Sequence, residues 1–346
     1  RLYHLTLQQV HTRLRCMKNE LWDKMARELQ EAADRHDMKT FYSSLKKAYG
    51  PPEGRRAPVR SKDGMSLLTD QSDVLARWAE HFNEVLNAPS FFDHTVLNEI
   101  QQWPVSNELA VEPSLNEVQN AVKLLCSGKA PGEDSLPAEI YKCGGARLLR
   151  RLVHLFSLIW RDEQVPQDFK DATIIHLYKR KGDRNLCDNH RGISLMSVAG
   201  KVLARVLLNR LSEHASRLGL LPESQCGFRS GRGTVDMVFS ARQLQEKCLE
   251  QHKDLYLIFI DLTKAFDTVD RPGLWAILSK IGCPDKFINI VRSFHDGMSA
   301  RVRDGGITSL PFMVTSGTKQ GCVLAPWLFS IFFAMMIYVA FKDCSI

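Results

Sequence analysis

The stretch LYLIFIDLTKAFDTVD, residues 255–270, decides how the whole chain is read. Leu255, Leu257, Phe259 and Asp261 fall on one face by period two, and Tyr256, Ile258 and Ile260 fall on the other. Apolar on both faces, residues 255–261 are predicted to form a strand buried within a sheet, with Asp261 where that sheet opens. A carboxylate held there by a rigid strand suits a divalent cation, since magnesium takes oxygen ligands and commonly arrives with substrate phosphates. The plainer alternative is that Asp261 closes a turn through its own backbone. Asp270, ahead of Arg271 and Pro272, fits a helix N-cap, and Asp267 fits a stabiliser of the preceding turn. One carboxylate does not make a two-metal site, whose ions stand about 4 Å apart and need converging ligands.

Outward from this stretch, 346 residues suffice for two or three domains or subdomains. Apolar residues at 44% and charged residues at 25% exclude a chain disordered throughout. The formal charge of +7 is uneven: residues 1–64 hold 14 Lys and Arg against 8 Asp and Glu. A second basic cluster gathers Lys179, Arg180, Lys181, Arg184 and Arg191 against Asp183 and Asp188. Both suit an anionic partner or a solvated face. Nine cysteines without any C-x-x-C exclude a small disulfide scaffold and a zinc ribbon, and read as reduced and intracellular. No secretory signal core is visible at the start, and the opening on Arg1 rather than on a methionine reads as an excised or partial product.

Helices are predicted over parts of 15–49 with a break near Asp34 to Asp37, over 70–86, after a Ser114/Glu117 capping box, and from Ala138 toward Trp160 with an interruption at Gly144 and Gly145. Further helices are expected over 198–218, 234–249, near Trp275, over 287–294, and after SGTKQGCVLAPWLF. Residues 172–183 read as a strand running into a basic turn, 300–315 as a hairpin around DGG, and 51–64 as a linker or hairpin. No period recurs, and neither a dinucleotide-binding nor a P-loop glycine pattern opens a helix.

Five stretches in order resemble the reverse transcriptase domain of non-LTR retrotransposons, the LINE-like elements of animal genomes. GKAPGEDSLPAE (128–139) is similar to the family's K-A-P-G-x-D-G-x-x-x-E, with Ser135 where Gly is usual. DNHRGISLMSVAGKVLARVLLNRL (188–211) resembles its N-Y-R-P-I-S-L segment, with His190 for Tyr and Gly192 for Pro. QCGFRSGRGTVD (225–236), FIDLTKAFDTVD (259–270) and SGTKQGCVLAPWLF (316–329) complete the series. The resemblance implies an α+β fold with the fingers and an incomplete palm of a right-hand polymerase, preceded by a helical N-terminal extension. The expected organisation is a basic helical extension over 1–50, a linker and helical lead-in over 51–110, a fingers-like region over 111–254 and a partial palm over 255–346.

By the same resemblance Asp261 is the catalytic metal ligand, and Phe266 packs beneath the sugar of the incoming nucleotide and rejects a 2′-hydroxyl. Gln320 and Gly321 lie beside the nascent base pair, Arg191 and Lys179 meet the triphosphate or template backbone, and Arg229 and Arg232 touch the template. The implied reaction is transfer of deoxynucleotides to a primer 3′ end on an RNA template. The implied cofactor is Mg²⁺ with Mn²⁺ as substitute, and the partners are an RNA template, a DNA primer and deoxynucleoside triphosphates, in the nucleus or cytoplasm.

The family's next motif ends in two adjacent aspartates, and no adjacent Asp pair occurs in this sequence. The expectation is therefore a chain truncated before that motif and inactive by itself. Two rival readings stand beside it. One is a catalytically dead RNA-binding remnant; the other is a membrane protein spanning through residues 320–341, which carry no charge and are flanked by Lys319 and Lys342.

Overall fold

The structure, a computed structural model, describes residues 2–49, 57–90, 92–319 and 321–342. It divides into two units, 1–57 and 58–346. The first unit is a pair of helices, α1 (Leu2–Asp34) and α2 (Met38–Tyr49), broken at the polar run the sequence marks. Asp37 accepts a hydrogen bond from the Thr40 amide at the start of α2.

The second unit is mixed α and β. It begins with a two-stranded ladder, β1 (Val59–Arg60) against β2 (Leu67–Leu68), so the hairpin expected around 51–64 pairs slightly later; residues 51–56 lie outside the described residues. Helix α3 (Gln71–Leu86) starts where Asp70 accepts from the Ser72 amide at 3.1 Å. Helix α4 (Leu115–Lys123) carries the full capping box: the Glu117 amide donates to Ser114 Oγ, and the Ser114 amide donates to Glu117 Oε2 at 2.8 Å. Helices α5 (Ala138–Cys143) and α6 (Gly145–Asp162) meet at the glycine pair that interrupts the pattern. Leu152, Phe156, Ile159 and Trp160 form the buried stripe of α6 at helical spacing. Full burial of a side chain such as Phe156 contributes roughly 2 kcal/mol.

After the short α7 (Gln167–Lys170), strand β3 (Ala172–Tyr178) enters the main sheet. It pairs antiparallel with β4 (His190–Leu195), Thr173 opposite Leu195 and Tyr178 opposite His190. On its other side it pairs parallel with β5 (Ser299–Asp304), Ala172 opposite Ala300. A parallel pair needs a long crossover, which here holds α8 (Val198–Arg217), α9 (Thr234–Glu250), α10 (Arg271–Lys280) and α11 (Asp285–Ser293). Strand β6 (Ile307–Thr308) closes the hairpin with β5, β7 (Phe312–Met313) pairs with the other end of β5, and α12 (Ala325–Ala340) follows. Asp270 caps α10 as expected, accepting from the Gly273 amide at 2.8 Å.

Three expectations are corrected. Residues 255–261 form no strand: the segment has no regular structure and is exposed beyond Leu255, with Ile258 at 87% and Phe259 at 91%. A strand is stabilised by a ladder and by cross-strand side-chain pairs. Residues 255–261 join neither of the described sheets, so their alternation is left unpaired. The membrane-spanning alternative also fails. No helix among the described residues is long and apolar enough to cross a bilayer. The uncharged run makes the 16-residue α12, whose Leu328 and Ile331 are wholly buried in the core that also takes in α10. The turn assigned to Asp267 is closed by its amide, which donates to the Lys264 carbonyl at 2.8 Å, and its carboxylate takes no part.

Candidate functional site

The motif-bearing loops converge on β4. Buried Gly132, in the 128–139 loop, lies so close to the Met196–Ser197 peptide that a Cβ there would come within 2.6 Å of it. Gly321, in the 316–329 stretch, has φ +117°, and a Cβ would meet the Ser194 carbonyl at 2.5 Å. The same loop is tied to the 259–270 stretch: the Thr318 amide donates to the Phe266 carbonyl at 2.7 Å, and the Gly317 amide to the Val269 carbonyl at 3.0 Å. Phe266 in turn meets Phe228 of the 225–236 loop edge-on at 5.7 Å and Phe329 of α12 at 5.0 Å. All five stretches, spread over some two hundred residues, thus meet in one place.

Arg191 projects from β4 opposite Leu177 of β3, exposed and without a carboxylate partner among the described residues. Lys179 is exposed at the end of β3, where its ammonium donates to the Asp188 carbonyl at 2.7 Å. Lys264 lies 3.5 Å from the Asp188 carboxylate, which links the 259–270 turn to the basic cluster. Asp267 is part-buried, and no hydrogen bond to its carboxylate forms among the described residues. Burial pushes its pKa up to about 6 against the opposing pull of Lys264 and Lys179. Arg229 and Arg232 are both held by Glu223, so the loop spends its positive charge partly on itself.

Asp261 stands in the exposed segment with no hydrogen-bond or ion-pair partner among the described residues, and Gln320 lies outside them. No group of three or more His, Cys, Asp or Glu that could hold a metal ion occurs among the described residues. The donor set does not fit a bound cation as it stands, because magnesium wants several oxygens at once.

Sequence reasoning missed two buried cations beneath this surface. Arg271 donates to the carbonyls of Gly317 (2.9 Å), His295 (3.0 Å), Val314 (3.1 Å) and Ser316 (3.2 Å), which fixes the 314–317 approach to Gly321. Its acceptors are main-chain oxygens scattered over distant residues, which leave no pattern in the sequence. Lys319 is 5% exposed and donates to the Lys170 carbonyl at the end of α7; burial lowers its pKa to about 7. A cavity of about 30 Å³ lies between Phe82, Ser194, Asp267, Thr318 and Lys319. It holds roughly one water and is a packing gap, far smaller than a ligand pocket.

Residues 178–340 match the family model described as reverse transcriptase (RNA-dependent DNA polymerase). The RNA-directed DNA polymerase from the mobile element jockey of Drosophila funebris is 30% identical over 344 residues, 95% of this chain and 37% of that protein. Its Drosophila melanogaster counterpart is 28% identical over 338 residues, 94% of the chain and 36% of the relative. A protein of the Drosophila melanogaster transposon BS is 26% identical over 287 residues, 81% and 31%. The chain carries a reverse-transcriptase-like domain related to the RNA-directed DNA polymerases of non-LTR retrotransposons. It spans about a third of the length of these curated relatives.

Proposed function

We propose that this chain is the fingers and part of the palm of an RNA-directed DNA polymerase that extends a primer on an RNA template with deoxynucleoside triphosphates. The observation that supports this most is the meeting of all five family-like stretches around β4, with Phe266 wedged between Phe228 and Phe329. Phosphoryl transfer depends mainly on positioning and electrostatics, and the residues here supply both. Arg191 and Lys179 offer positive charge to the triphosphate or template backbone; Arg offers a bidentate grip and Lys a mobile point charge. Phe266, fixed by two rings, excludes a 2′-hydroxyl by volume. Gly321, lacking the Cβ that would strike Ser194, lets its loop lie against β4, and in this reading that loop, with Gln320, borders the nascent base pair. Arg229 and Arg232 reach the template when it competes with Glu223.

Asp261 is the residue assigned to the Mg²⁺ site. The described residues do not complete that site. The sequence contains no adjacent Asp pair, which favours a second reading in which this polypeptide binds RNA without copying it. Primer extension on an RNA template with Mg²⁺ tests both readings, comparing the 346-residue chain with the product of the complete reading frame that contains it. Extension by the longer product, lost in Asp261→Ala, supports the polymerase reading. Extension that survives Asp261→Ala removes Asp261 from the mechanism. RNA binding by both products with no extension by either selects the second reading.

A further inference from the structure

Helix α6 carries an exposed basic stripe that the polymerase site does not use. Arg147, Arg150, Arg151 and His154 occupy positions i, i+3, i+4 and i+7 of one face, opposite the buried stripe Leu152, Phe156, Ile159 and Trp160. They line an open surface cleft spanning about 10 Å of helix. None of the three arginines has a carboxylate partner among the described residues. Among the described residues only Arg150 of the three makes an intramolecular bond, from Nε to the Ala146 carbonyl at 3.3 Å. From 138 to 162 five Lys and Arg stand against Glu139 and Asp162, and Asp162 is already paired with Arg161.

Folding does not account for this arrangement. The first turn of α6 has no acidic residue and Gly144 supplies no side-chain cap. Three guanidinium groups in the first two turns therefore oppose the positive end of the helix dipole, a small but real cost to stability. The cost is offset when an anion occupies the cleft. Apart from His154, every aromatic ring of α5 and α6 is buried or part-buried, so the stripe offers guanidinium charge far more than stacking surface. A row of arginines without aromatics fits a phosphate backbone contacted without regard to sequence.

We propose that the α6 stripe docks RNA through its phosphate backbone, as a contact separate from the loops around β4. Helix α6 packs mainly on α4 and α5, whereas the β4 site is built from β3, β4, the 128–139 and 225–236 loops, the 259–270 turn and the approach to α12; only the 128–139 loop, which runs into α5, borders both. The choice of RNA rests on the polymerase reading; the readout is binding, so failure of polymerisation and failure of this contact are distinguishable.

The test titrates the purified chain with a labelled RNA, and with a DNA duplex of matching sequence, across a range of salt concentrations. The triple variant Arg147→Gln, Arg150→Gln, Arg151→Gln is compared with the triple Arg→Lys variant, and circular dichroism verifies the fold of each. The Gln variant is expected to lose roughly tenfold or more in RNA affinity, with the slope of log K against log salt shallower by about 2 to 3. The Lys variant is expected to recover the slope. RNA affinity and slope unchanged in a folded Gln variant would overturn the proposal, as would a loss confined to the DNA duplex.

Discussion

At the scale of single residues, the chemistry beneath the site is set by charges placed where water is scarce. Arg271 satisfies four carbonyls from one guanidinium, and truncation strands those oxygens. Arg271→Met is expected to destabilise the fold by about 3 kcal/mol or more, read as a lower urea midpoint with an unchanged m-value. Asp267 acts in the opposite sense. Its folded-state pKa near 6 lies above the ordinary 3.8, so the folded chain holds a proton that the unfolded chain has released between those values. Stability from this group therefore falls as pH rises from about 4 to 6, and the burial penalty is fully present above that window. Asp267→Asn is expected to raise the melting temperature at about pH 7 to 8, with the gain vanishing near pH 4; a gain independent of pH would contradict the assignment. The sequence displayed Asp261, Asp267 and Asp270 equally well, and the cap role of Asp270 could be read from the Arg-Pro that follows it. What it hid was environment: whether a carboxylate is bonded, bare or buried depends on chain arriving from elsewhere.

At the scale of elements, local signals were readable and long-range ones were not. The capping box at Ser114 and Glu117, the break at Gly144 and Gly145, the strand at 172–178 and the helix at 198–217 are written in contiguous residues, and each forms. Glu117 also shows what a local reading leaves out. Burial would raise its pKa, but hydrogen bonds from Arg210 and Ser114 outweigh that and hold it at about 2. Arg210 in turn lies 5.0 Å over the Trp160 ring, so one carboxylate helps join α4, α6 and α8. Glu117→Ala is expected to cost about 2 kcal/mol, more than a simple cap, with the excess disappearing in an Arg210→Met background. Residues 255–261 are the opposite case. Their alternation is as clear as any in the chain, yet strand formation is a property of two segments, and no described strand pairs with them. Their amides are expected to exchange with solvent far faster than those of β3 and β4. Protection equal to that of β3 would show a partner that the described residues lack.

At the scale of the whole molecule, the family-like stretches were legible as separate words, and the structure supplies the sentence they form. Gly321 could be picked out by resemblance alone. The reason for it, close approach to the Ser194 carbonyl at φ +117°, depends on a loop and a strand more than a hundred residues apart. Gly321→Val is therefore expected to push the 316–324 loop off β4 and weaken nucleotide binding at least tenfold, while α1 and α2, a separate unit, keep their helicity. The clustering of these loops into one nucleotide-facing surface is the claim on which the polymerase reading depends, and it is open to direct mapping. Photocrosslinking of an azido-deoxynucleoside triphosphate to the chain, followed by peptide mass spectrometry, should label residues within 188–195, 259–270 or 316–324, and unlabelled deoxynucleotide should compete the labelling away. Label spread over unrelated surfaces, or insensitive to competitor, would contradict it.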